Sequence, residues 1–199
     1  ISSLDGTSTD SAYVNLSDIK VHGSGYDGFE IDNNYYTVIN IDNVQVKDGV
    51  WDGFRINYNN YSDIDLTSVS VKNYGDEAIS AYSNQNYTTI EVQLSNFRNN
   101  STRNEEYEIL IFGSYDYTNG GYTFNNNNFI NQTSDYLVQT TSSGGGDDLD
   151  FTYNYWGAAT TSEMDSLGSR TNISSIYDYH DYSSYSEIEY SNWLATAVL

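Results

Sequence analysis

Val14-Asn15-Leu16-Ser17-Asp18-Ile19-Lys20-Val21 realigns as Ile39-Asn40-Ile41-Asp42-Asn43-Val44-Gln45-Val46, and again as Ile64-Asp65-Leu66-Thr67-Ser68-Val69-Ser70-Val71, at a constant step of 25 residues. A second strip keeps the step: Tyr26-Asp27-Gly28-Phe29-Glu30-Ile31, Trp51-Asp52-Gly53-Phe54-Arg55-Ile56 and Asp76-Glu77-Ala78-Ile79-Ser80-Ala81. A fixed period in this range marks a stacked-repeat protein, in which no unit buries its apolar face alone. Within each unit apolar and polar residues alternate, as in Val14 and Leu16 or Ile39 and Ile41. That is strand period, with no sustained 3.6-residue pattern. The runs are short and broken by Asn, Gly, Asp and Ser, the residues that make turns and tolerate left-handed backbone. Each unit therefore reads as one rung of a β-solenoid with two or three short strands. A β-sandwich, the other all-β reading, needs hairpins every 8–12 residues but gives no reason for residue i to resemble residue i+25.

Later units drift without losing the pattern. Ile90-Glu91-Val92 with Phe97 follows Ile64-Asp65-Leu66 with Val71 after 26 residues. Tyr122-Thr123-Phe124 with Phe129 comes 32 later, and Leu149-Asp150-Phe151 with Trp156 comes 27 after that.

At 199 residues the chain makes one domain, and no apolar run approaches the length of a membrane span. It opens on Ile1 without a basic-then-apolar leader, and Leu4-Asp5-Gly6 reads as part of an earlier rung, so a mature or excised piece of a longer protein is expected. A net charge of −21, with 7 Lys plus Arg, argues against nucleic-acid partners and anionic membranes. Cysteine is absent, which rules out disulfides and thiolate metal sites. Proline is absent too, as suits a backbone whose N–H groups enter ladders. The 21 Tyr and 24 Asn, with abundant Ser and Thr, fit a secreted surface protein. Asn-x-Ser/Thr sites occur at Asn15, Asn60, Asn86, Asn99, Asn100, Asn131 and Asn172. This composition would give about five by chance, so they point only weakly to glycosylation.

Stacking rungs at about 4.8 Å turns each position into a column. Asp18, Asn43, Ser68, Ser95, Asn127 and Asn154 form a small polar column, with Asn34, Asn59 and Asn84 as a second. Stacked amides can bond the rungs above and below and satisfy turn backbone. An acidic column comprises Asp27, Asp52 and Glu77, extended by Glu105 and Asp135, each two residues before an inward apolar residue (Phe29, Phe54, Ile79, Tyr107, Leu137). Stacked like charges repel by roughly 0.9 kcal/mol per neighbour at this spacing in water, so a counterion or opposing bases are expected. His22, Lys47, Lys72 and Arg98 supply a basic column five positions earlier, across a turn. The two columns make either a solvent-exposed ion-pair ladder or a groove in which carboxylates bind Ca²⁺ or perform acid–base work. Tyr26 and Trp51 stack beside the acids, and Tyr35, Tyr36, Tyr58, Tyr61, Tyr82 and Tyr87 crowd the next turn. Such rings suit sugars and protein partners alike.

These residues resemble the right-handed parallel β-helix superfamily, often called pectin-lyase-like, over roughly residues 4 to 157. The resemblance rests on the Asp-Gly-apolar-x-apolar strip, the Ile-x-Ile-x-x-Val-x-Val strip and the Asn column. Tyr153-Asn154-Tyr155-Trp156-Gly157 is similar to the Asn-Asn-Trp-Trp-Gly that often closes such repeats. The tail from Ile173, with Ile176-Tyr177-Asp178-Tyr179-His180-Asp181 and Trp193-Leu194, resembles the segment that follows there. It and a short helix near Ser162–Ser169 are expected to cap the open end. Asp27-Gly28 and Gly75-Asp76-Glu77 resemble the Asp-Gly and Gly-Asp-Asp of polygalacturonase-like hydrolases, where two carboxylates flank a glycosidic bond. Those enzymes continue with a His-Gly rung and an Arg-Ile-Lys rung, whereas Asn99–Glu106 offers neither. A lyase reading would place Ca²⁺ at Asp52, Asp76 and Glu77 with Lys72 or Arg98 as base.

Other chemistry fails on count or spacing. Two His cannot form a three-His zinc site, and no nucleophile elbow or phosphate-cradling Gly loop is present. Ser143-Gly144-Gly145-Gly146-Asp147-Asp148-Leu149-Asp150 matches neither an EF-hand nor the Gly-Gly-x-Gly-x-Asp calcium repeat, so it reads as a loop tip. The expectation is an all-β right-handed parallel β-helix of about six coils over 1–157, capped by 158–199. Its expected function is a non-catalytic extracellular or cell-surface module for adhesion, carbohydrate binding or structural assembly. Its partners would be a polysaccharide, a cell-surface glycan or copies of itself, with ligand contacts at Tyr26, Trp51, Asp27, Asp52 and Glu77. The alternative is a calcium-assisted polysaccharide lyase or glycoside hydrolase using Asp27, Asp52, Asp76, Glu77, Lys72 and Arg98.

Overall fold

The structure is a computed structural model that describes residues 1–103, 107–112, 121–130, 134–141 and 149–198. Its chain winds through repeated three-strand coils. The first holds β1 (Ala12–Ser17), β2 (Lys20–His22) and β3 (Phe29–Asp32); the second β4 (Thr37–Asp42), β5 (Gln45–Lys47) and β6 (Phe54–Asn57). The third holds β7 (Asp63–Thr67), β8 (Ser70–Lys72) and β9 (Ile79–Tyr82); the fourth β10 (Thr89–Gln93), β11 (Asn96–Arg98) and β12 (Tyr107–Phe112). The fifth comprises β13 (Gly121–Asn125), β14 (Asn128–Ile130) and β15 (Tyr136–Thr140), and then come β16 (Leu149–Asp150), α1 (Gly157–Leu167), β17 (Ile176–Tyr177) and β18 (Ile188–Glu189). Strands stack into three parallel sheets of seven, five and six strands, ordered β1-β4-β7-β10-β13-β16-β18, β14-β11-β8-β5-β2 and β17-β15-β12-β9-β6-β3. The molecule is a parallel β-solenoid.

Five coils carry all three strands rather than the expected six. The sixth is assembled from separate pieces: β16, the Tyr155 bridge to Asn128, and then β17 and β18 from the tail, laid on β15 and β16. The 25-residue step is the pairing register itself, with Val14 opposite Ile39, Ile39 opposite Ile64, and Val21, Val46 and Val71 in line. Ile39, Ile64, Val46, Val71, Phe54 and Ile79 are at most 1% exposed, so each contributes the ~1.5–3 kcal/mol of a fully buried apolar side chain. Aromatic columns stack inside the coil: Phe29 on Phe54 at 5.1 Å, Phe124 on Phe151 at 4.5 Å and Phe129 on Trp156 at 4.9 Å.

Corners explain the Asn, Ser and Tyr content. Asp18, Asn43, Ser68, Leu94, Asn126 and Tyr153 all have φ between 51° and 59°. Tyr36, Tyr61 and Tyr87 take φ of 47°, 51° and 51° at another corner, where Tyr61 stacks on Tyr36 at 4.8 Å and on Tyr87 at 5.6 Å. Left-handed backbone costs an ordinary residue about 1–2 kcal/mol, which ring stacking offsets in part.

The polar column expected at Asp18 slips by one residue in the later coils. Leu94, Asn126 and Tyr153 continue the left-handed corner, because Val92 and Phe124 pair with Leu66 and Val92 two residues earlier. Ser95, Asn127 and Asn154 belong one place on, beneath Val69: Val69 donates its N–H to Ser95 Oγ (3.1 Å), Ser95 to Asn127 Oδ1 (3.0 Å) and Asn127 to Asn154 Oδ1 (2.8 Å). Asn34, Asn59 and Asn84 stack as expected. Asn34 and Asn59 donate their N–H and Nδ2 groups to the Oδ1 of the next Asn, and Asn59 Nδ2 also reaches the Ile31 carbonyl at 3.0 Å.

At the C-terminal end Trp156 is buried, and α1 begins beside it at Gly157 (φ 77°), earlier than the Ser162–Ser169 stretch read from sequence. The tail locks onto this end through Trp193 Nε1 donating to Asp165 Oδ1 (2.9 Å) and Leu194 N donating to the Asn154 carbonyl (2.9 Å). Among the described residues no helix is long and apolar enough to cross a membrane.

Candidate functional site

Phe29, Phe54 and Ile79 pair in register on β3, β6 and β9, which puts Asp27, Asp52 and Glu77 above one another just before those strands. The backbone continues the ladder there: Gly28 N donates to the Asp52 carbonyl at 2.8 Å and Gly53 N to the Glu77 carbonyl at 2.9 Å. Side chains answer in the opposite direction, since Asp27 Oδ1 accepts from Asp52 N (3.1 Å) and Asp52 Oδ1 from Glu77 N (3.2 Å). Each carboxylate thus caps the next rung's backbone. This explains how like charges stack here through local hydrogen bonds, without the basic column. The glycine after the acid is steric: a Cβ on Gly28 would lie 2.6 Å from the Tyr74 hydroxyl, and one on Gly53 would lie 2.6 Å from the Ala78 carbonyl oxygen.

Asp52 is 8% exposed, and its Oδ2 accepts from Ser80 Oγ at 2.5 Å. Burial, helped by the hydrogen bond and charge of Asp52, pushes the Glu77 carboxyl up to about 9. Glu77 therefore holds its proton more tightly than an exposed carboxyl does, and in that form it can donate a hydrogen bond. Asp27 is raised as well, chiefly by burial and against the pull of the Asp52 N–H.

Asp52 and Glu77 line a cleft of about 300 Å³ together with Trp51, Arg55, Asn57, Tyr58, Asp76 and Tyr82. Trp51 and Tyr58 are 45% and 56% exposed and offer open ring surface. Arg55 Nη1 lies 3.9 Å from Asp27 Oδ2, and with the Asn57 amide turned to present its oxygen, Arg55 Nε donates to it at 2.6 Å. Arg103 crosses the rim: its guanidinium carbon is 5.9 Å from the Trp51 ring centroid, and Nη1 is 3.2 Å from the Val50 carbonyl and 3.9 Å from Asp76 Oδ1.

The cleft brings together Trp51, Asp52, Asp76 and Glu77 from the sequence reading, and Tyr26, Asp27, Lys72 and Arg98 lie outside its lining. Tyr26 is 77% exposed. The basic column is in register, His22 with Lys47, Lys72 and Arg98, but it does not pair with the acids. His22 Nε2 instead meets Asp48 Oδ2 at 2.9 Å, and among the described residues Lys47, Lys72 and Arg98 form no ion pair. Also among the described residues, no three His, Cys, Asp or Glu side chains are grouped to hold a metal ion. Arg55 is the cleft cation that the sequence reading passed over, although it stands in the quoted Trp51–Ile56 strip.

The acidic column ends at Glu77. Ile79 pairs with Ile109, and Ile109 with Val138, so the next positions belong to Tyr107 and Tyr136, whose rings stack at 5.9 Å. Asp135 falls one residue off the column, and Glu105 lies outside the described residues. Glu108 is the acid that the sequence did not announce. It is fully buried, its Oε1 accepts from Asn100 Nδ2 at 2.5 Å, and its Oε2 has no partner among the described residues. Burial, opposed by the Asn100 hydrogen bonds, pushes its carboxyl up to about 8.

Among the Asn-x-Ser/Thr sites, Asn100 is fully buried, with Nδ2 also donating to the Val71 carbonyl, so in the folded chain it is closed to a glycan. Asn15 and Asn172 are exposed. Asn60, Asn86 and Asn99 are half-buried in amide ladders, and Asn131 lies outside the described residues, as do 142–148 of the Gly-rich loop. In comparisons with protein-family models, curated proteins and solved structures, none matches the chain.

Proposed function

We propose that the protein is a non-catalytic, extracellular carbohydrate-binding module of the pectin-lyase-like β-helix type, and that a glycan docks in the Trp51–Tyr82 cleft. The observation that carries this reading is the cleft's composition. Open Trp and Tyr faces flank a base of carboxyl, amide and guanidinium groups already fixed by the ladder. Ring faces take the apolar C–H face of a sugar, while fixed polar groups orient its hydroxyls. The acidic surface, rich in Tyr, Asn, Ser and Thr, supports an extracellular setting. Trp51→Ala removes one wall without touching the core. Titration with soluble oligosaccharides, followed by tryptophan fluorescence and calorimetry, is expected to show affinity falling at least tenfold in this variant, with melting temperature unchanged. Equal affinity in variant and parent would refute the cleft as the site.

A second reading, polysaccharide cleavage, draws on the Asp52–Glu77 pair. Burial and the hydrogen bond with its neighbour Asp52 raise the Glu77 carboxyl, so the pair holds a proton that can serve acid–base chemistry at a bound sugar. Incubation with a panel of neutral and uronate polysaccharides, with calcium or a chelator, distinguishes the two. Release of new reducing ends or unsaturated products, lost in Glu77→Gln, would make it an enzyme.

A further inference from the structure

Accepting that the cleft binds sugar, we infer that it takes uncharged glycans and turns away uronates and other acidic sugars. The guanidinium groups at the site are already engaged. Arg55 is the one cation among the lining residues; it faces Asp27 at 3.9 Å and holds the Asn57 oxygen through Nε. Arg103 at the rim lies 3.9 Å from Asp76, donates to the Val50 carbonyl and sits over one face of Trp51 at 5.9 Å from the ring centroid. The acids Asp52 and Asp76 line the same cleft, and Asp27 on the preceding rung caps the Asp52 N–H. Recognition of a sugar carboxylate draws on a bidentate guanidinium or a cluster of unspent cations. Here an incoming carboxylate would have to displace an internal carboxylate from Arg55 while approaching Asp52.

The wider field acts the same way, since the chain carries −21 and slows the approach of any polyanion. An uncharged sugar meets none of these penalties. Its hydroxyls donate to the carboxylates of Asp52 and Asp76 and accept from Arg55 or Asn57, and its ring lies on Trp51 or Tyr58. A volume of about 300 Å³ sits at the small end of ligand sites, which suits a short stretch of chain.

Calorimetric titration of the full chain at physiological salt tests this with cellotetraose, mannotetraose and xylotetraose against tetragalacturonate. At least one neutral oligomer is expected to bind tenfold or more tighter than the uronate, given the size of charge repulsion in a partly buried cleft, where salt screens less than at an open surface. The gap is expected to narrow as salt is raised. Asp27→Asn, which releases Arg55 without altering the cleft lining, is expected to raise uronate affinity several-fold and leave neutral binding unchanged, with circular dichroism confirming the fold. Uronate binding equal to or tighter than neutral binding would overturn the discrimination while leaving the sugar-binding reading intact. Absence of binding by every oligomer, neutral or acidic, would overturn both.

Discussion

Asn100 fixes one oxygen of the Glu108 carboxyl, and the other is buried without a partner among the described residues. Burying an ionised carboxylate in that state is costly, so the folded chain favours the protonated acid. The folded value of about 8 exceeds the ordinary 4.5, so the proton is held more tightly folded than unfolded. The stabilisation is complete below about pH 4.5, declines as pH rises through 8, and is spent above that. Glu77 acts in the same direction with its own value of about 9. Denaturant titrations between pH 5 and 8.5 are expected to show Glu108→Gln losing less stability than the parent. The difference should be on the order of a few kcal/mol. Parallel curves would contradict the assignment. Nothing in Tyr107-Glu108-Ile109 announces this acid, because a strand buried on both faces has no alternation to read. Asp52 and Glu77 were legible for the opposite reason: they recur at the repeat step beside an invariant inward position.

On the scale of ladders and strands, Asn59 does the work of four hydrogen bonds. Its Oδ1 accepts from both nitrogens of Asn34, and its Nδ2 donates to Asn84 Oδ1 and the Ile31 carbonyl. Asn59→Ala leaves several buried groups unpaired, each costing about 1–3 kcal/mol, so a loss of roughly 3–5 kcal/mol is expected in chemical denaturation. Asn40→Ala, which removes an exposed amide pair with Asn15, is expected to cost under about 1 kcal/mol. Comparable losses in the two variants would show that the buried ladder has no special part in stability. Strand registers were legible through coil five because inward residues are large, apolar and evenly spaced. Corners were not: the one extra residue of the fourth coil enters between Gln85 and Thr89, where the step passes from 25 to 26, and the polar column was projected one place past Leu94 onto Ser95. The later loops hid the register before β12 in the same way, so the acidic column was projected onto Glu105 and Asp135 instead of Tyr107 and Tyr136.

Taken as a whole, the molecule stacks carboxylates along one axis, and its charge of −21 repels itself in the compact state. Raising sodium chloride from ~50 mM to ~0.5 M shortens the Debye length from above 10 Å to under 5 Å. Thermal melting followed by circular dichroism is therefore expected to shift upward by several degrees at pH 7.5 and by much less at pH 4, where fewer carboxylates are charged. A flat response at pH 7.5 would mean that local pairing already neutralises the ladders.

The corner that passes from Val44 and Val69 to Ser95, Asn127 and Asn154 divides the stack into an oily stretch and an amide-bonded one. Water's push on oily side chains weakens near freezing, whereas amide bridges keep their grip. Chilling should therefore loosen this corner first at Val44 and Val69, whereas the Asn34–Asn59–Asn84 ladder on the same early coils holds its place.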